Sequence, residues 1–252
     1  MARRLLTIKY DGSNYCGWQV QPNGVSVQAV VGDALAAVFG GERCAVTGCS
    51  RTDAGVHANM FCLHFDSDSV IENNKLVLAV NAHLPNDIAA IYCQNVPDDF
   101  HARYSAKAKN YIYKIHNSGV RDPFLYKYSL TVNKHIDESV LDNACKAFLG
   151  THDFSGFCSA GSSVTDTVRT VYECSVKRCG DEVLFSITAD GFLYNMVRII
   201  VGTLLDIVYG KINADDLPDI IKSTDRNRAG ATAKPHGLYL NKVFYNQEVN
   251  IK

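Results

Sequence analysis

Residues 42–65 read ERCAVTGCSRTDAGVHANMFCLHF, and the fold turns on how this stretch divides. Glu42 to Gly48 reads as one strand and Asn59 to Phe65 as another, the second alternating Phe61, Leu63 and Phe65 on one face. The polar loop GCSRTDAGVHA, Gly48 to Ala58, lies between the two apolar runs. Ahead of them, Leu5 to Tyr10 reads as a strand followed by the glycine-rich loop DGSNYCGWQVQPNG. Ser26 can then cap a helix running to about Phe39, whose stripe is Val27, Val30, Val31, Ala34, Leu35 and Val38. Behind them, Asn74 to Ala82 reads as a second helix, ended by Pro85, and Ile88 to Val96 as a strand. Two successive strands with a helix on either side complete the order β-α-β-β-α-β. This is the ferredoxin-like order, in which two helices cover one face of an antiparallel sheet.

The rest of the chain repeats that order without repeating the residues. Tyr111 to His116 reads as a strand and Ile136 to Leu149 as a helix. Val168 to Lys177 and Glu182 to Ala189 form a hairpin around Cys179-Gly180-Asp181. A long helix from Leu193 to Tyr209, a short one from Ala214 to Ser223 and a closing strand from Leu238 to Tyr245 follow. The expectation is an α+β (α/β) protein of two tandem ferredoxin-like halves, residues 1–103 and 104–252, joined near Arg103 with a cleft between them.

A chain of 252 residues with 47% hydrophobic and 20% charged content has ample material for a core. Its net charge of −1 does not exclude nucleic acid, because clustering of Lys and Arg on one face decides phosphate binding. Nine cysteines without a C-x-x-C pair fit small buried hydrophobes in a reducing compartment better than a disulfide framework or a zinc site. The N-terminal MARRLLTIKYDG loses its apolar run at Lys9, short of a secretory signal. Met196 to Val208 contains Arg198 and Asp206 and is too short to cross a bilayer. A cytoplasmic protein with no membrane association is expected.

Three places carry possible chemistry. Asp53 sits on a strand-to-strand connection, where a rigid scaffold often presents catalytic groups. On spacing alone an ordinary polar turn is the stronger reading, since Ser-Arg-Thr-Asp-Ala-Gly is also good turn chemistry. His57 follows four residues on, with no serine or cysteine evidently paired to it. The segment FHARYSAKAKNYIYK, Phe100 to Lys114, interleaves Arg103, Lys107, Lys109 and Lys114 with Tyr104, Tyr111 and Tyr113. Cations bind phosphate and aromatic rings stack on unpaired bases, so the mixture suits RNA. A solvated linker running into a strand reads the same way. Arg198 falls at the edge of the stripe Val197, Ile200, Val201, Leu204, Leu205 and Val208, where a buried guanidinium wants a carboxylate. Asp206 and Asp53 are both conceivable partners, and a snorkelling surface arginine is the commoner case.

GCSRTDAGVHA, FHARYSAKAKNYIY, NMVRIIVG and the late RAGATAKPHGLYL stand in an order and spacing that resembles the tRNA pseudouridine synthase A family. The opening YDGSNYCGWQVQPNGVSVQ is similar to that family's start, so the resemblance spans nearly the whole chain. It implies isomerisation of uridine to pseudouridine at positions 38 to 40 of the tRNA anticodon stem-loop. Asp53 would be the catalytic nucleophile. Arg51 would help extrude the target base, Tyr111 stack on the uracil, Arg198 pair with the carboxylate and Arg103 contribute to tRNA binding. The resemblance also implies a symmetric homodimer with tRNA touching both subunits, and a redox-neutral reaction needing no cofactor and no metal. A non-catalytic tRNA-binding module of the same fold is the alternative; a small-molecule-binding regulator is a further one, since fold does not fix function.

Overall fold

The strand β1 (Ala2–Tyr10) leads through a glycine-rich loop to Ser26, whose side chain accepts a hydrogen bond from the Ala29 N–H and starts α1 (Val27–Phe39). Gly40, at φ +72°, ends that helix in the left-handed conformation glycine adopts without strain. The computed structural model describes residues 1–161 and 164–246, and the chain divides into two units. One comprises Met1–Lys107 together with the chain from Tyr239; the other is Ala108–Leu238.

In the first unit β1 and α1 are followed by β2 (Thr47–Gly48), β3 (His57–Ser67), α2 (Asn73–Asn81) and β4 (Ile88–Asn95). Pairing is antiparallel in the order β4-β1-β3-β2, the ferredoxin-like arrangement. Leu6, Ile8, Phe61, Leu63 and Phe65 are buried with Val31, Leu35, Leu76 and Val80 of the two helices. Phe65 meets Phe39 of α1 at 6.0 Å between ring centroids. The other face of β3 is covered too. Cys62 and His64 are buried there, with His64 Nδ1 accepting from the Ala102 N–H and its ring edge-on to Phe100.

The expected strand from Glu42 to Gly48 shrinks to Thr47–Gly48, for a reason in the backbone hydrogen bonds. The Cys44 N–H donates to the Gly32 carbonyl, and Gln28 Nε2 donates to the Val46 carbonyl. Residues 42–46 are therefore tied to α1, not to β3. Gly32 permits this, because a Cβ there would stand 2.8 Å from the Cys44 oxygen.

The second unit holds β5 (Ala108–Asn117), β6 (Leu130–Val132), α3 (Glu138–Cys145), β7 (Gly150–Asp153), β8 (Val168–Cys179), β9 (Glu182–Ala189), α4 (Met196–Val208) and α5 (Leu217–Ser223). Its antiparallel order is β5-β9-β8-β7, and β6 pairs in parallel with β5. The β8–β9 hairpin turns at Gly180, φ +59°. Ile115, Leu141, Val176, Phe185, Val201 and Leu204 face one another between sheet and helices. The helix expected over Ile136 to Leu149 gives way at Cys145 to a 3-10 turn, Lys146–Phe148.

The chain then returns as β10 (Leu238–Phe244), in which Tyr239 and Leu240 pair in parallel with His57 and Ala58. β1 lines one edge of β3 along its length, so β2 and β10 share the other edge. β10 takes the start of β3, and β2 pairs with Leu63 and His64. The Asp53 loop leaves β2 and enters β3 at that handover.

Candidate active site

The loop between β2 and β3 is fixed by its backbone. The Thr52 carbonyl accepts from the Trp18 N–H at 3.0 Å, and the Thr52 hydroxyl shares a 2.7 Å hydrogen bond with the Tyr10 phenol, both groups buried. The Val56 N–H closes a turn onto the Asp53 carbonyl at 3.2 Å, with Gly55 at φ +75°. Glycines on the facing segment allow the approach. A Cβ on Gly17 would lie 2.6 Å from the Thr52 oxygen, and one on Gly12 would lie 2.0 Å from the Val56 oxygen. Under the loop, Trp18 stacks on Phe61 with centroids 4.1 Å apart.

His57, 1% exposed, pins the far end of the loop. Its Nδ1 accepts from the Gly12 N–H at 3.0 Å and stands 3.1 Å from Asp11 Oδ1, while its ring stacks on Tyr239 at 4.7 Å. The histidine is thus a buried post for the loop. Arg51 is exposed, and its guanidinium has no hydrogen-bond or ion-pair partner among the described residues. Asp53 is half-buried.

Tyr111 and Arg198 belong to the second unit. Tyr111 is 6% exposed on β5, opposite Ile187 of β9, with its ring edge-on to Phe192 at 5.0 Å. Arg198 is half-buried in the first turn of α4. Its Nε donates to the Ala233 carbonyl and its Nη1 to Asn195 Oδ1, each at 2.7 Å. The next carbonyl, Lys234, accepts from the Tyr113 hydroxyl at 2.7 Å. Tyr113 and Tyr111 alternate onto one face of β5, so a single short loop ties that face to the Arg198 turn. Burial raises the Tyr113 phenol's pKa, and the charge of Arg198 opposes the rise. Asp206, one conceivable partner of Arg198, is instead paired with Lys211 at 3.0 Å.

Arg103 lies half-buried after the buried Phe100 and Ala102, in the first unit. Its guanidinium sits 5.9 Å from the centroid of Tyr104, which is 77% exposed and stacks on His101 at 4.3 Å. An exposed ring beside a cation is the pairing expected of an RNA contact.

The family model for tRNA pseudouridine synthases matches residues 6–105 and 144–246. The chain belongs to the tRNA pseudouridine synthase family. Among its relatives, one named tRNA pseudouridine synthase A from Thermoanaerobacter sp. (strain X514) is 45% identical over 97% of this chain and 100% of its own. Another from Acetivibrio thermocellus is 47% identical, covering 95% and 98%. A third from Halalkalibacterium halodurans is 44% identical, covering 94% and 90%.

A pseudouridine synthase must detach uracil from ribose C1′, turn it and rejoin it through C5. The sequence alone did not point to three residues that hold the Asp53 loop or the Arg198 guanidinium. Tyr10 continues the inward face of β1 after Leu6 and Ile8, and that alternation marks it as buried. Gly17 lay in a loop already read as glycine-rich. Asn195 is the residue type favoured ahead of a helix, but a helix expected to start at Leu193 hid that signal. In fact α4 starts at Met196, because Asn195 takes a left-handed backbone.

Proposed function

We propose that this chain converts uridine to pseudouridine at positions 38 to 40 of the tRNA anticodon stem-loop, with Asp53 as nucleophile. Residues 1–103 supply Asp53, Arg51 and Arg103; residues 104–252 supply Tyr111 and Arg198. The observation that carries the reading is the clamped backbone on either side of Asp53, beside an exposed arginine without a protein partner among the described residues. A loop held in this way presents a carboxylate in fixed geometry, and misplacement on the order of 1 Å costs about a hundredfold in rate.

The chemistry assigns the other side chains. The target base is inaccessible while stacked, and extruding it costs roughly a few kcal/mol. Arg51 enters the space the base leaves, and Tyr111 recovers about 1–3 kcal/mol by stacking on it. Asp53 attacks as the carboxylate, at ribose C1′ or uracil C6, or removes the C2′ proton; Arg198 pairs with it and holds it in place. The proton lost from C5 is balanced by one gained at N1, so the reaction is redox-neutral and no cofactor is consumed. Arg103 binds phosphate, and the enzyme acts in the cytoplasm as a symmetric homodimer, with tRNA touching both subunits.

The test is tritium release from 5-tritiated-uridine tRNA under single turnover with excess enzyme, because forming the C5 bond expels the label. The native chain should release it. Asp53→Ala should release none, and Asp53→Glu, with the charge displaced by roughly 1.5 Å, should be at least about a hundredfold slower. Both should keep native melting and tRNA affinity. Near-normal release by folded Asp53→Ala would overturn the reading.

A further inference from the structure

We propose that Asn195 is a positioning residue that aims the Arg198 guanidinium through a neutral oxygen, adding no charge of its own; the inference rests on the role given to Arg198 above. Two features of this asparagine do not fit an ordinary helix cap. Its backbone lies at φ 60°, ψ 6°, in the left-handed region that, glycine apart, asparagine and aspartate enter more readily than other residues. A residue ahead of a helix normally takes an extended backbone and turns its side-chain oxygen onto an N–H of the first turn. Asn195 makes no such cap bond, although its carbonyl still accepts from the Ile199 N–H at 2.9 Å.

The side chain is committed elsewhere. Oδ1 accepts from Arg198 Nη1 at 2.7 Å, and Nδ2 donates to Ser159 Oγ at 2.9 Å. The amide therefore spans from a serine to the guanidinium, and the guanidinium, which can only donate, fixes which way the amide faces. The Ala233 carbonyl takes Nε of the same guanidinium. Two bonds on different edges of a planar group leave it little freedom to rotate. Both of these acceptors are neutral oxygens. They direct the arginine without neutralising the charge that is proposed to hold a carboxylate, and a carboxylate at residue 195 would direct it equally while competing for that charge.

The same argument gives the strained backbone a purpose. Local strain persists where the surroundings fix it, and the bonds to Ser159 and Arg198 are those surroundings. Asn195→Gly suits the left-handed backbone and deletes both side-chain bonds. Asn195→Asp is nearly isosteric and keeps an acceptor for Nη1, but adds a negative charge. A residue needed only to fold the turn would tolerate glycine, and aspartate would leave the rate of the folded enzyme unchanged.

The experiment measures single-turnover tritium release at saturating enzyme, tRNA affinity by filter binding, and melting temperature. It compares Asn195→Gly, Asn195→Asp and Arg198→Ala with the native chain. The expected result is that Asn195→Gly melts no lower than the native protein and binds tRNA within about twofold, yet reacts about tenfold or more slowly. Asn195→Asp should be slowed at least as much at neutral pH, while keeping native melting and tRNA affinity within about twofold. Native rates for folded Asn195→Gly, alongside an inactive Arg198→Ala, would overturn the positioning role alone. A native rate for Arg198→Ala would overturn the role of Arg198 and the inference with it.

Discussion

The two units hold their key residues in different ways. In the first, the bonds that locate the Asp53 loop fall on its neighbours and its backbone: the Thr52 carbonyl and hydroxyl, the Asp53 carbonyl and the His57 ring. In the second, they fall on the charged group itself, as Asn195 and Ala233 grip the Arg198 guanidinium. The difference follows from side-chain length. Asp53 has one methylene between backbone and carboxylate, so fixing the backbone narrows the positions the group can reach. Arg198 has a long flexible stem, and its head must be held directly. Both units use the same device beneath, a glycine where two backbones touch. Gly17 faces Thr52, and Gly202 of α4 faces Ala231.

A pair of alanine substitutions tests this device. In Gly202→Ala the new Cβ would fall 1.6 Å from the Ala231 oxygen, so α4 and the loop carrying Ala233 must separate. Overpacking of this kind should cost about 3 kcal/mol or more, well beyond the gain in helix propensity. Gly17→Ala meets the Thr52 oxygen at 2.6 Å and carries φ +108°, and should cost roughly 1–3 kcal/mol. Denaturant melts give the stabilities, and tritium release per folded molecule gives the activities. If backbone placement matters as argued, folded Gly17→Ala should also turn over more slowly; native turnover would break the link between the glycine contacts and the site.

Acid should act on the first unit through His64. Burial pushes this imidazole down to about 4, with Arg3 and His101 adding to the fall and Asp66 opposing it. Its Nδ1 must stay unprotonated to accept from the Ala102 N–H. Between pH 6.5 and about 4 the unfolded chain therefore binds a proton that the folded chain refuses, and stability falls as pH falls. The loss should reach about 1–2 kcal/mol between pH 7 and pH 5. His64→Asn, which keeps an acceptor near Nδ1, should flatten that slope in melts across pH; an unchanged slope would assign it to other groups.

The smallest expected effect belongs to Tyr10→Phe. It removes the hydroxyl that meets Thr52 and leaves the threonine without that buried partner, a change worth about 1 kcal/mol. The comparison sharpens if this variant loses more rate than its folded fraction explains, because the bond then positions the loop as well as stabilising it.

What the sequence made legible was local. Ser26 capped the helix it was expected to cap, the hairpin turned at Gly180, and the antiparallel order of the first four strands followed from the apolar pattern. The family motif drew attention to the loop that the structure shows clamped. What stayed hidden depends on contacts distant in sequence. Residues 42–46 look like a strand, yet their hydrogen bonds go to α1. Period-two alternation placed Phe61, Leu63 and Phe65 inside, but gave no sign that Phe100 and Ala102 would cover His64 on the other face. The start of α4 was misjudged because hydrophobic periodicity does not report a left-handed backbone at Asn195.

The shared edge of β3 has a consequence in time. His57 is stacked on Tyr239, and the strand that brings Tyr239 there is made long after the rest of the first unit. Synthesis at about 5–20 residues per second leaves an interval on the order of ten seconds between the end of the first stretch and the arrival of β10. During that interval the nascent chain can hold the β1–β3–β4 sheet but not the finished support of the Asp53 loop. The loop is therefore completed last, and an unfinished polypeptide on the ribosome, surrounded by tRNA, does not yet present the assembled site.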